Sequence, residues 1–259
     1  MIVCKSPSEI EKMRAANGLV AEVLAQLAAM VVPGVTTQEL DTAAERLVRE
    51  RGAEPAFKGY RGYPATLCAS VNEQVVHGIP SDRPLAEGDI LSLDMGVKLN
   101  GFYGDSAVTV PVGRIAEDAA ALLRVTEEAL ECGIRQVRVG GRISDIGHAV
   151  QEHVERHGYS VVREFVGHGI GVALHEEPQI ANYGEPGRGP RMVEGMVFAI
   201  EPMVNMGRPA VKVLADGWTA VTRDGSLSAH FEHTVAVTKD GPDVLTVRTS
   251  SPVGTTRAS

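Results

Sequence analysis

The sequence predicts an α/β protein built from two related halves, each delivering carboxylates to a common centre. Three observations carry this. Two helix pairs recur at a fixed offset, two apolar runs ending in a carboxylate recur at nearly the same offset, and four acids fall in segments otherwise patterned for a core. With 259 residues, 44% hydrophobic and 22% charged, the chain can bury one sizeable core. A single domain over 1–247 is expected, with halves of roughly 5–113 and 114–247.

The elements follow in order. After Pro7 and Ser8, residues Ile10, Met13, Val20, Val23, Leu24 and Leu27 recur at helical spacing over 7–30. The segment TTQELDTAAERLVRERG reads as a second helix, with Thr37 as its N-cap and Gly52 as its stop. A comparable pair spans 116–137 and 144–157, the latter stopped by Gly158. Offset by 106, Gly34, Leu40, Ala43, Val48 and Gly52 fall on Gly140, Ile146, Ala149, Val154 and Gly158. The run LAEGDILSLDMGV at 85–97 aligns with MVEGMVFAIEPMV at 192–204 at an offset of 107, pairing Asp94 with Glu201. Past Val247 the tail RTSSPVGTTRAS lacks apolar periodicity and is expected to be disordered.

Composition excludes several classes of partner. A net charge of −8 and a pI near 5.5 leave no basic footprint for nucleic acid or an anionic membrane. Cys4, Cys68 and Cys132 are odd in number and widely spaced, so neither a disulfide framework nor a thiolate zinc site is readable. The N-terminus carries charges where a signal peptide would be apolar, and no segment approaches the ~18 apolar residues of a membrane span. A cytoplasmic protein is expected.

The acids carry the chemistry. Asp94 precedes a hairpin turned at Asn100-Gly101, and a two-residue turn there sets Asp94 opposite Ala107. Asp105 then stands two residues away on the same face, about 7–8 Å off. Two acids on one face of an apolar hairpin repel and lose hydration, which calls for a compensating cation. Solvated acids flanking a turn are the alternative. Glu201 closes the run VFAIEP, and alternation along SAHFEHTVAV sets His230, Glu232 and Thr234 on one strand face.

Between them lies VGHGIGVALHEEP, at 166–178. Its glycines give G-x-G-x-G rather than a dinucleotide fingerprint, and Pro178 stands where a zinc-protease H-E-x-x-H helix would have to continue. What remains is His168 on a backbone that can approach another group closely. Four carboxylates and one imidazole suit manganese, iron, cobalt or zinc. Four acids exceed what one ion needs; two ions about 3.5–4 Å apart balance them and generate hydroxide near neutral pH, so hydrolysis is the expected reaction.

The motifs GYRGYPATLCASVNEQVVHGIP, LSLDMGVKLNGFYGDSA, VGHGIGVALHEEP, FAIEPM and HFEHTV stand in one order over residues 5–245. Together they resemble the type I methionine aminopeptidases of the pita-bread metallopeptidase superfamily. The resemblance implies a pita-bread fold, two pseudo-symmetric halves around a central curved antiparallel sheet with helices outside. It implies an aminopeptidase removing N-terminal methionine from peptides and nascent chains when the next residue is small, acting as a monomer with access to the ribosome. Asp94 would hold one of two divalent ions, Asp105 and Glu232 bridge, and His168 and Glu201 complete the other. Catalysis falls to His77, His175 and Glu201, and the glycines would leave room for the peptide. Phe57, Tyr60, Tyr63, Cys68 and Trp218, with His77 and His175, would bind substrate; Leu174 departs from a position that is often aromatic. The longer type carries an insertion absent here, where His168 and Glu201 are 33 residues apart. Proline-directed relatives resemble the chain less: another histidine pair precedes their histidine motif, where Arg163-Glu164-Phe165 stands. A non-catalytic relative would lose ligands, and none is lost.

Overall fold

The computed structural model describes residues 2–247, so the expectation for the tail at 248–259 falls outside the described residues. Helix α1 (Pro7–Met30) starts with a capping box: Ser6 Oγ accepts from the Glu9 amide, and the Glu9 carboxylate accepts from the Ser6 amide. Helix α2 (Thr37–Glu50) is capped by Thr36 and not by Thr37. The box needs an acid three residues on, which Thr36 has in Glu39 and Thr37, followed by Leu40, does not. Thr37 instead exchanges hydrogen bonds with the Ser81 backbone.

The repeat is present in the backbone. In the second pair, α3 (Glu117–Ile134) and α4 (Ile143–Arg156), the Arg142 amide donates to Asp145, repeating Thr36 and Glu39 at the same offset. Gly34, Gly52, Gly140 and Gly158 all adopt positive φ, so both pairs turn and stop alike.

The strands 90–99 and 102–111 form a hairpin whose turn residues Asn100 and Gly101 have φ of 52° and 83°. The register sets Asp94 opposite Ala107 and Gly96 opposite Asp105. Leu91, Leu93, Met95 and Val97 are buried on one face, leaving Ser92, Asp94 and Gly96 on the other. Each fully buried side chain of that size is worth about 1.5–3 kcal/mol, so a one-residue slip that exchanged the faces is strongly disfavoured. Asp94 therefore lies in mid-strand, not at a strand end as the repeat suggested. Helix α1 lies on this hairpin, close enough that a Cβ at Gly104 would sit 2.8 Å from the backbone of Ala16.

The second half contributes a five-stranded antiparallel sheet in the order 241–244, 233–238, 197–200, 167–169, 176–180. It joins the hairpin where Ala107 bridges Glu232. SAHFEHTVAV is not one strand: 228–230 and 233–238 belong to different sheets, with the break at Phe231-Glu232. The alternation survives the change of sheet: His230 lies 3.7 Å from Glu201, Glu232 lines the same cavity and Thr234 Oγ1 donates to the Asp105 carbonyl, while Phe231 and His233 line a separate hollow. The Glu232 amide donates to Ala107 and its carbonyl accepts from Ser106 Oγ, and this bridge fixes the backbone of the acid. Among the described residues no helix is long and apolar enough to cross a membrane.

Candidate active site

Asp94 and Asp105 from the hairpin, His168 from 167–169, Glu201 just past 197–200, and Glu232 at the bridge line one cavity of about 150 Å³. That is the size of a void that takes up benzene, room for one side chain. Tyr60, Tyr63, Phe57, Cys68, His77, His175 and Trp218 line it as well, so every sequence-expected site residue meets in one place. Asp105, His168 and Glu232 each offer a ligand atom within 4.8 Å of the others. His168 Nε2 is 3.6 Å from Glu201 and 3.9 Å from Asp105, while its Nδ1 lies 2.9 Å from the Gly169 carbonyl. Nδ1–H donating there leaves Nε2 free to ligate.

The electrostatics fit a cation. Burial, then the neighbouring acids, push Asp94, Glu201 and Glu232 well above the usual carboxylate range, and burial raises Asp105 to about 7. Asp94 Oδ1, Asp105 Oδ1 and Glu232 Oε1 are buried with no hydrogen-bond partner. Three orphaned carboxylate oxygens lining one cavity are costly unless a positive charge meets them. His168 and His77 are held down to about 3 and 4 by burial, and burial also lowers His175, so all three favour the neutral imidazole that ligation or donation requires.

Aromatic contacts organise the rest of the cavity lining. The Tyr60 hydroxyl lies 2.9 Å from His175 Nδ1, and their rings stack at 5.2 Å. His77 has φ of 59° and packs edge-on against Phe165 and Trp218. A histidine in that region costs about 1–3 kcal/mol and persists only where its surroundings hold it.

The glycines do a different job from the one expected. A Cβ at Gly167 would overlap the Ala199 carbonyl, one at Gly169 the Glu177 carbonyl, and one at Gly171 the Lys5 side chain. The space they leave is filled by the protein's own strands, which thereby approach His168. Gly169→Ala should destabilise the chain by about 1–3 kcal/mol in urea unfolding, the usual cost of overpacking. An unchanged midpoint would contradict this packing.

Three participants were not legible in the sequence. Lys5 Nζ bonds Glu176 at 2.6 Å, and Glu176 also accepts from the Ala173 amide, which pins the loop carrying His175. Arg61 stands at the cavity beside the Tyr60 ring. His230 is buried with Nε2 unpartnered, 3.7 Å from Glu201. For His230 the only signal was its place two residues before Glu232; Lys5 is 171 residues from its partner, and no local pattern marks it.

Comparison with known proteins came out as follows. The family model described as metallopeptidase family M24 matches residues 11–239. Methionine aminopeptidase 1 of Bacillus subtilis is 54% identical over 246 residues, covering 95% of this chain and 99% of that protein. A crystal structure of methionine aminopeptidase from Rickettsia prowazekii superposes with a TM-score of 0.94 at 45% identity, covering 95% of this chain and 100% of that one. Prolidase from Pyrococcus furiosus, at 23% identity and a TM-score of 0.77, covers 95% of this chain and 65% of that one, and shares the fold alone.

Proposed function

The chain belongs to metallopeptidase family M24 and acts as a methionine aminopeptidase of pita-bread fold, and from that premise we propose how its own residues do the work. The observation that carries the reading is the convergence of three buried carboxylates, the half-buried Glu201 and His168 in one cavity that aromatic residues also line. Asp94 would hold one divalent ion, Asp105 and Glu232 both ions, and His168 with Glu201 the other. Manganese, iron, cobalt and zinc all suit these donors. When bound, such ions supply Lewis acidity and lower the pKa of water at the cleavage point.

The chain's residues do the rest. Phe57, Tyr60, Tyr63, Cys68 and Trp218 receive the methionine side chain; Cys68 is a soft, buried neighbour for a thioether. Tyr60, by donating to His175 Nδ1, keeps the proton on Nε2, from which His175 donates to the scissile carbonyl oxygen as it becomes an oxyanion. Water oxygen attacks the carbonyl carbon, a Glu201 carboxylate oxygen takes the released proton, and that proton goes to the amine nitrogen as the C–N bond breaks. His77, rigid against Phe165 and Trp218, orients the peptide.

Tyr60, Arg61 and His175 crowd the same wall, so the residue after methionine is expected to be small. Met-Ala-Ser should be cleaved far faster than Met-Leu-Ser, Leu-Ala-Ser or a Pro-headed peptide, measured across several metals. Comparable kcat/KM for Met-Ala and Met-Leu peptides would count against this. We place the activity in the cytoplasm, on nascent chains, in a monomer. The acidic net charge and three free cysteines support the location.

A further inference from the structure

Among the described residues a second group of side chains could hold an ion: Glu128 on α3 with His153 and His157 at the end of α4, each offering a ligand atom within 4.8 Å of the others. None of the three lines the central cavity. The two histidines are four apart, so they share a helix face, and their rings lie 4.6 Å apart. The His157 Nδ1 lies 2.8 Å from the His153 carbonyl; donation there orients the ring and leaves Nε2 as the free lone pair. Glu128 is divided in the same way. Arg124 lies 3.9 Å from Oε1, while Oε2 is 3.1 Å from His153 Nε2. Bonds of 2.0–2.2 Å to one tetrahedral ion set neighbouring ligand atoms roughly 3.3 Å apart, so this pair already stands near ligand spacing. The helices are close by construction: a Cβ at Gly133 would meet Val150 at 2.9 Å.

We propose that Glu128, His153 and His157 form a surface site for a borderline divalent cation, zinc above all, which clips α3 to α4. Two imidazoles and one carboxylate suit zinc, nickel or copper(II) and disfavour magnesium and calcium. Three protein donors leave a position for water, as in open zinc sites. The ion ties residues 25 and 29 positions apart in the folded chain, and binding to that state alone stabilises it.

Zinc is the probe. Full-length protein, its central cavity saturated, should take up one more equivalent at micromolar free zinc than His157→Gln or Glu128→Gln, by metal analysis after dialysis. Its Tm should rise by a few degrees beyond theirs, and magnesium should give no such difference. Both variants, away from the cavity at half-buried Glu128 and exposed His157, should keep wild-type kcat at matched loading. Cys132→Ser should retain the extra equivalent, although Cys132 lines a hollow shared with His153. Equal stoichiometry and equal Tm shifts in wild type and both variants, or loss of the equivalent in Cys132→Ser, would overturn the site.

Discussion

Asp105→Ala and Glu232→Ala are expected to lose metal at both central positions together, with activity falling about a thousandfold or more. Lewis-acid stabilisation is worth several kcal/mol and each 1.4 kcal/mol is a factor of ten. The reason is placement. Asp105 and Glu232 come from the two sheets that meet at the Ala107–Glu232 bridge, each with an oxygen lacking any hydrogen-bond partner, and with His168 they offer ligand atoms within 4.8 Å of one another. A residue shared by two ions cannot be removed from one alone. Calorimetric titration beside metal analysis reads this directly. One undisturbed binding isotherm in either variant would remove the bridging role. In chelator-treated protein the sign reverses. Glu232→Gln removes an acid whose pKa is raised by burial and then by Asp105, Glu201 and Asp94, so metal-free Tm should rise or hold. A clear fall in metal-free Tm would mean that the acid serves the fold and not an ion.

His175→Ala should keep both metals and lose turnover, whereas His168→Ala should lose metal with activity. The two rings lie 4.2 Å apart, so proximity does not separate them; their hydrogen bonds do. His168 is anchored through Nδ1 to the backbone within the core of the sheet, its Nε2 facing Glu201 and Asp105. His175 is anchored through Nδ1 to the Tyr60 hydroxyl, on a loop tied down by Lys5 and Glu176. Loss of a donor to a developing oxyanion costs about 10²- to 10³-fold in kcat, roughly 2.7–4 kcal/mol. Tyr60→Phe should produce a smaller version of the same defect, because it removes only what orients the ring. Metal content measured beside kinetics decides. A His175 variant that sheds a metal, or turns over normally, does not fit the assignment.

The sequence by itself determined the two helix pairs, the hairpin and the acids that meet in the cavity, because each is encoded within a few residues. The helix stops at Gly52 and Gly158 are marked by single residues, the Asn100-Gly101 turn sets its own register, and that register puts Asp94 and Asp105 on one face. Alternation did not reveal that the chain changes sheets. Phe231-Glu232 leaves one ladder for another, yet His230 and Glu232 still reach the same cavity side while Phe231 and His233 line another hollow. Tertiary structure alone decided what the glycines at 167, 169 and 171 accommodate, that Lys5 reaches Glu176, and that His230 lies behind Glu201. It alone decided that Asp94, Glu201 and Glu232 are buried close enough to other acids for their pKa to rise. Local hydrogen bonds and side-chain periods act over one turn of chain, whereas desolvation and Coulomb repulsion depend on distance through space, which exists only once the two sheets have met.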